Sequence, residues 1–277
     1  MPDAKTIWLF REQLVRAGAF ERLFERFDAA MARAASLPWA GRSSMVSRAG
    51  RHRSEARGER SSRRAGHGWP RLAAAEKAVV KGGGTPEGWK PARTRQVDRD
   101  GRWTLKRGRK RPAPPEGGAK RIASGEILVP AFGYKNHLSI DRQHGLIRRF
   151  AVTHAAAHDS GQLGAVLDPT NTASQVWADT AYRSKANLAL IERRGLSAEL
   201  QRPKPRGRPM PAHISRANAA RATVRSAVEH VFAAQKSRAK LVIRTIGLAR
   251  ARAKLALANI TYNLTRLAWL DRRPAAA

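Results

Sequence analysis

One stretch near the N-terminus, residues 36–72, limits what the chain can fold into. Ser, Arg, Gly and Ala occupy 25 of its 37 positions, and its apolar residues follow neither the helical nor the strand period. Such a segment cannot bury enough apolar surface to offset the entropy lost on ordering it. The composition therefore predicts disorder over 36–72, and a folded core has to form from the residues on either side.

The chain is strongly basic, with 54 Lys and Arg against 21 Asp and Glu, a formal net charge of +33. Because this charge opposes compaction, it favours a polyanionic partner, and nucleic acid is the first candidate. The absence of Cys excludes a disulfide scaffold, a thiolate nucleophile and Cys-ligated zinc. No apolar run reaches the roughly 20 residues of a membrane span, and the first ten residues lack a signal-peptide pattern. We expect a cytoplasmic protein with no membrane partner.

The pattern of apolar residues divides the chain into three parts. Residues 1–35 form an N-terminal helical segment, with one amphipathic helix predicted over 5–35 and Asp3 as its N-cap. Residues 36–125 form a basic, low-complexity and largely disordered segment. Residues 126–277 have the apolar pattern of a folded domain.

Within that last part, extended runs precede long helices. Strands followed by helices predict a mixed α/β layer. The predicted elements are a meander of three runs (126–132, 134–141 and 146–153), a short helical stretch to about Leu167, a strand over 174–179, a helix over 184–195, a possible strand over 197–203, and two long helices over 216–237 and 246–270.

Two carboxylates are candidate site residues from their positions alone. Asp179 ends an apolar strand, where ligands often bind, although the same position also suits a helix cap or a turn. Arg225, Glu229 and Lys236 lie four and seven residues apart, so they share one helical stripe. A solvated ion-pair ladder would show the same spacing. Because apolar residues such as Val228 flank Glu229, we interpret Glu229 as a candidate metal ligand beside the buried face.

Six segments together resemble a known family, and the resemblance extends from Pro2 to Ala35 and from about Glu76 to Leu270, which is most of the chain. The chain is similar to transposases of the insertion-sequence-five group, which belong to the Asp-Asp-Glu class with a ribonuclease H-like fold. The resemblance implies a ribonuclease H-like mixed sheet flanked by helices. The composition adds a disordered basic insert to this fold, and the apolar periodicity adds a long C-terminal helix. The segments are PDAKTIWLFREQL (2–14), GYKNHLSID (133–141), VTHAAAHDS (152–160), VWADTAYRS (176–184), SAVEHVFAAQK (226–236) and VIRTIGLARARAKLALANITYNLTRLAWL (242–270).

The resemblance also assigns roles. Asp179 would be the second catalytic carboxylate and Glu229 the third, and both would hold two divalent ions, normally Mg2+, against the scissile phosphate. Arg225 and Lys236 match basic members of the signature that hold DNA phosphates, although Ala222 stands where the related signature has Tyr.

Further roles follow for the neighbouring residues. Tyr182 and Arg183 would contact DNA beside the site, and the hairpin residues Lys135 and His137 would be structural or DNA-facing. His158 and Asp159 would cap a helix. The implied partner is double-stranded DNA, both transposon ends and target, with a homodimer assembled on it.

The first carboxylate of the class is missing. The family has a stretch resembling AMGGQIVDA after the N-terminal helix, where this chain has LPWAGRSSMV (37–46). Synonymous codons for these ten residues can be chosen so that another frame encodes Ala-Met-Gly-Gly-Gln-Ile-Val-Asp-Gly. Our hypothesis is a pair of compensating frameshifts over about 36–75. The rival is a genuine linker with the first carboxylate supplied elsewhere. Asp28, Asp98, Asp100 and Asp141 could be proposed for it, but none follows an apolar strand of the right kind.

Family members also carry a helical region before the segment that begins at Pro2, so we expect an N-terminally truncated copy. Three functions remain open. The first is a transposase, defective in this copy because the first Asp is absent. The second is a non-catalytic basic DNA-binding remnant. The third, an RNA- or ribosome-associated protein, is disfavoured because no aromatic RNA-stacking motif occurs.

Overall fold

The computed structural model describes residues 2–33, 44–46, 50–53, 72–109, 126–168 and 175–272. Short 3-10 helices also occur at Asp159–Gln162 and Thr180–Tyr182. The α-helices formed by these residues are α1 (Ala4–Arg16), α2 (Ala19–Arg33), α3 (Ala74–Lys81), α4 (Pro91–Gln96), α5 (Leu163–Val166), α6 (Lys185–Arg193), α7 (Ala212–Ser237) and α8 (Leu248–Asp271). The strands are β1 (Ser44–Val46), β2 (Gly50–Arg53), β3 (Arg102–Arg109), β4 (Glu126–Asp141), β5 (Ile147–His154), β6 (Gln175–Ala178) and β7 (Ser197–Leu200).

The strands form one mixed sheet. Five of them follow one another across it in the order β5, β4, β1, β6, β7. β4 is antiparallel to both β5 and β1, whereas β6 is parallel to β1 and β7. β2 and β3 pair antiparallel with residues 126–136 of β4. The sheet confirms the expected mixed α/β class, with the parallel strands at one side.

Helices cover both faces of this sheet. Successive side chains of a strand point to opposite faces, and β6 has apolar side chains on both. On one face, Val176 and Ala178 of β6 are buried against α5 and α6. On the other face, Trp177 packs in a second cluster that contains Leu138 of β4 and Val231 of α7. Fully burying a Val or Leu side chain contributes about 1.5–3 kcal/mol to stability. These two clusters therefore fix the positions of α6 and α7 on the sheet.

The predicted single helix over 5–35 is wrong in one respect: the segment forms two helices. Gly18 has φ +61°, which a right-handed helix cannot contain, and α1 therefore ends before it. The N-cap prediction is confirmed, because the carboxylate of Asp3 accepts a hydrogen bond from the Thr6 N–H at 2.8 Å. Arg250 of α8 binds Glu12 of α1 at 2.8 Å, so the N-terminal helices contact the C-terminal one.

The expectation of a largely disordered segment over 36–125 is corrected where the structure describes it. Helices α3 and α4 and strand β3 form within 72–109, because Leu72, Val80 and Phe132 make a small buried cluster with Trp89 and Val97 beside it. β1 and β2 also form, paired through their backbones with β4. The remaining residues of 36–71 and 110–125 lie outside the described residues.

The C-terminal half agrees with the predicted pattern. The strand over 174–179, the helix over 184–195 and the two long helices correspond to β6, α6, α7 and α8. The first two runs of the meander are one continuous strand, β4, and β5 is the third. The short strand over 197–203 is confirmed as β7, although it ends at Leu200.

Candidate catalytic and DNA-binding site

Asp179 lies directly after β6, at the carboxyl end of a strand parallel to both its neighbours. Its backbone is extended, so its side chain lies on the same face as Trp177, the face covered by α7. One carboxylate oxygen accepts a hydrogen bond from the Ala181 N–H at 2.6 Å and caps the 3-10 helix that follows. A carboxylate has about four acceptor positions, so this cap leaves others for a cation.

Glu229 lies on α7, next to the residue that anchors this helix. Val228 is completely buried in the cluster that contains Trp177, and Glu229 follows it at the border of that face. The side chain of Glu229 is 54% exposed, and it forms an ion pair at 2.7 Å with Arg225, four residues earlier. An exposed pair of this kind contributes only about 0.3–0.5 kcal/mol, so the Glu229 carboxylate can change partners at small cost.

The predicted DNA contacts fall in different environments. Lys236 is exposed in the last turn of α7. Arg183 is half-buried and donates a hydrogen bond to the Leu200 carbonyl at 3.4 Å. Tyr182 is completely buried in the β6–α6 core, so its predicted DNA contact is wrong in this arrangement. The sequence places Tyr182 beside Asp179, but the 3-10 turn directs its ring into the protein.

No cluster of three or more His, Cys, Asp or Glu residues suited to a metal ion occurs within the described ranges. The proposed substitutes for the first carboxylate all have structural partners. Asp28 pairs with Arg148 at 2.6 Å. Asp98 accepts a hydrogen bond from the Tyr134 hydroxyl, and Asp100 accepts one from the Leu248 N–H at the start of α8.

Asp141, the fourth substitute, closes the β4–β5 turn. Its carboxylate accepts hydrogen bonds from the N–H groups of His144 and Leu146 at 2.6 and 2.9 Å. Burial would raise the pKa of Asp141, but a hydrogen bond from the His144 side chain, together with these two backbone hydrogen bonds, outweighs it and the pKa lies below its ordinary value. Its charge is therefore used to hold the turn.

The hairpin residues Lys135 and His137 were expected to be structural or DNA-facing, and the structure shows them in structural roles. Lys135 is buried and binds Asp159 at 2.9 Å and the Ala157 carbonyl at 2.6 Å. His137 is completely buried against Thr153, and burial lowers the pKa of its imidazole to about 4. His158 caps the 3-10 helix through the Ser160 N–H, which confirms its expected capping role. Asp159 instead holds Lys135.

One acidic residue near the site was not singled out from the sequence. Glu199 on β7 is paired in register with Trp177 on β6, and it binds Arg221 of α7 at 2.9 Å. Arg221 and Arg225 lie one helical turn apart, so α7 presents two arginines to acidic partners along this face. The signal that could have identified Glu199 is its position in the strand that follows Asp179.

Comparisons with known proteins give one match. A family model described as "Transposase DDE domain" matches residues 115–264, which is more than half of the chain. No curated protein and no solved structure matches the chain. In the described part of the chain, the helices are all too short or too polar to cross a lipid bilayer.

Proposed function

Because this chain belongs to the transposase DDE domain family, we propose that it is an insertion-sequence transposase of the insertion-sequence-five group whose own cleavage site is incomplete. Asp179 is its second catalytic carboxylate and Glu229 its third. The observation that carries the proposal is that Asp179, at the end of a parallel strand, and the helix that bears Glu229 lie on the same face of the sheet. Arg225, Lys236 and Arg183 bind DNA phosphates around them.

The sheet order supports a ribonuclease H-like fold. In the order β5, β4, β1, β6, β7, three antiparallel strands precede two parallel ones, and β1 is the central strand that joins them. Ligands of open α/β sheets bind beyond the carboxyl ends of the parallel strands. Asp179 occupies such an end, and in this fold the missing first carboxylate belongs on β1, the adjacent strand.

DDE transposase domains generally depend on divalent metal ions, which activate the attacking oxygen and stabilise the leaving oxygen of the phosphodiester. Mg2+ is the ion we propose, since carboxylate oxygens suit it. Among the residues that the structure describes, no group of three or more His, Cys, Asp or Glu could hold a metal ion, so the two proposed carboxylates have no third ligand there. We therefore assign no ion position and no catalytic step to this chain.

The position of β1 supports the frameshift hypothesis. Its residues Ser44 and Met45 pair with both β4 and β6, in the centre of the sheet. The codon for the lost Asp, in the other frame, would span these same two residues. Ladder pairing uses the backbone, so a strand can form here although its side chains have changed. The nucleotide sequence across residues 34–78, translated in all three frames, tests this: a frame that encodes an apolar strand ending in Val-Asp is expected.

If no frame encodes that strand, the frameshift is contradicted, and the incomplete site has another cause. Homodimer assembly on DNA belongs to the same proposal. A gene made with the restored frame provides the active reference for the cleavage assay.

The second candidate function, a non-catalytic DNA-binding remnant, is favoured by the same incomplete cluster together with the net charge of +33. One experiment tests both candidates: nicking by the present chain would exclude the remnant, and an absence of nicking by the restored chain would contradict the transposase. The present chain and the restored chain are incubated with Mg2+ and DNA that bears inverted-repeat ends, and nicks are counted on a gel. We expect nicking from the restored chain only.

Asp179→Asn in the restored chain should abolish that nicking, because it removes a metal ligand while asparagine still caps the 3-10 helix. Asp271→Asn, at an exposed position at the end of α8, is the matched control and should nick normally. Nicking by the present chain would show that its site is complete. Nicking by the Asp179→Asn variant would contradict the assigned role of Asp179.

A further inference from the structure

A groove of about 880 Å³ lies between the C-terminal halves of α7 and α8. Five of the residues that line it are alanines, which we call its alanine floor, and their small side chains leave open space between the two helices. Trp269, which is 42% exposed, forms part of the wall of the groove. The small residues are Ala233, Ala234, Ala239, Ala258 and Ala268.

The charged side chains that line the groove are basic, and neutral polar side chains such as those of Gln235, Thr261 and Tyr262 lie among them. Arg238, Arg266, Arg272 and His230 line it, and none of its lining residues in the described ranges is acidic. Arg238 and Arg272 are exposed and pair with no carboxylate of the described chain. Arg266 is held in place, because it donates a hydrogen bond to the His144 carbonyl at 2.6 Å and lies 4.1 Å from the centre of the Trp269 ring.

This surface is distinct from the proposed catalytic site. His230 faces the groove, whereas its neighbour Glu229 points about 100° away around α7, as successive residues of an α-helix do. Arg225 and Lys236 share the Glu229 stripe, and Ala233 and Ala234 share the His230 face. A ligand in the groove would therefore not occupy the carboxylate site.

An apolar floor with a cationic rim suits a chain of apolar rings joined by phosphates. Single-stranded nucleic acid has this chemistry, since its unpaired bases stack on apolar and aromatic surfaces while its backbone follows basic residues. A duplex offers only its sugar-phosphate surface to such a floor. A second copy of this chain, with its own net charge of +33, would bring further positive charge to these arginines and no phosphates.

We infer that the α7–α8 groove is a binding surface for single-stranded DNA. The Arg238 and Arg272 guanidinium groups contact its phosphates, and its bases lie against the alanine floor and the Trp269 indole. The identification of the strand as DNA rests on the proposed function, in which the chain acts on DNA. The groove would hold an unpaired strand away from the carboxylates.

The test is a binding titration of the full chain, without metal, against a fluorescently labelled single strand of about 12 nucleotides and the duplex of the same sequence. Ala268→Glu places a carboxylate in the groove at an exposed helical position. It should weaken single-strand binding about tenfold, as the loss of one stacked base would, and duplex binding much less. Ala249→Glu, on the same helix outside the groove, is the matched control and should have little effect.

A second measurement concerns the phosphates. Arg272→Gln should reduce the slope of log affinity against log salt by about 0.7 for the single strand, since each phosphate contact contributes about that much. Arg216→Gln, an exposed arginine of α7 outside the groove, should leave it unchanged. Thermal unfolding of each variant shows that the fold is retained.

Three results would overturn the inference: equal effects of Ala268→Glu and Ala249→Glu, an equal loss of duplex and single-strand binding, or a change of oligomeric state by sedimentation without a change in DNA binding. The last would mean that a second copy fills the groove. The binding assay involves no metal and no cleavage, so its result does not depend on the nicking experiment. A restored chain that fails to nick DNA would contradict the proposed function but not the measured binding to the groove.

Discussion

Asn263 of α8 forms two hydrogen bonds with the backbone of one residue, Ile147, at the start of β5: its amide oxygen accepts from the Ile147 N–H and its amide nitrogen donates to the Ile147 carbonyl, each at 2.8 Å. The side chain thus pairs with the sheet as another strand would. Both residues are completely buried. These two hydrogen bonds, which we call the Asn263 clasp, fix α8 on the β4–β5 hairpin. They thereby position the half of the helix that lines the groove.

Asn263→Ala should therefore be strongly destabilising. The variant leaves a buried donor and a buried acceptor of Ile147 without partners, which costs about 2–4 kcal/mol in the free energy of unfolding. Denaturant unfolding measures the change. Leu264→Ala, at the neighbouring exposed position, should cost no more than about 0.5 kcal/mol. Equal losses in the two variants would mean that the clasp adds nothing.

Stability should fall between pH 6.5 and pH 4 because of His137. Burial holds the pKa of this imidazole at about 4, below its ordinary value of 6.5. Between those values the unfolded chain binds a proton that the folded chain does not, so the contribution of His137 is fully present above 6.5 and is lost as the pH falls through this range. The shift corresponds to about 3 kcal/mol.

Denaturant unfolding at pH 7 and pH 4.5 measures this dependence. His137→Gln should reduce the difference between the two stabilities, whereas His230→Gln, at an exposed position, should not. A pH dependence that persists unchanged in His137→Gln would assign the effect to other groups.

The buried pair of Lys135 and Asp159 should behave as a unit. Both side chains are more than 90% buried, and their atoms are 2.9 Å apart. Lys135→Met removes the cation that binds the buried Asp159 carboxylate, so we expect a loss of about 3–5 kcal/mol. The double variant with Asp159→Leu should lose much less than the sum of the two single changes. Additive losses in this double-mutant cycle would show that the two charges are not coupled.

Lys236 should contribute to duplex DNA binding through its charge alone. Lys236→Gln should lower the affinity for any duplex sequence and reduce the salt slope by about 0.9, the value for one phosphate contact on double-stranded DNA. Lys185→Gln, at an exposed position on α6, is the matched control. An unchanged slope in Lys236→Gln would remove this residue from the DNA surface.

The long helices and β6 could be predicted from the sequence because their apolar residues recur at regular spacing, and the pattern around Leu255 and Ile260 reports a buried helix face directly. The break at Gly18 was missed because the apolar pattern continues across it. α3, α4 and β3 were missed since they are stabilised by Phe132, which lies on another element and has no local signature.

The site shows the same limit. The position of Asp179 after an apolar strand is visible in the sequence, and so is the stripe that contains Glu229. The direction of Tyr182 is not, because a three-residue 3-10 turn decides whether a ring faces solvent or the core. Glu199 becomes visible only through its register with Trp177, which no local pattern encodes.

The three residues of β1 also have a consequence for the order of folding. β4 and β5 meet across a short turn, whereas Ser44 has to find Val176, a separation of 176 − 44 = 132 residues. Contacts between distant residues form late, since closing a long loop costs entropy before any pairing rewards it. We expect the hairpin and the β6–β7 pair to form as separate nuclei, and the centre of the sheet to close last.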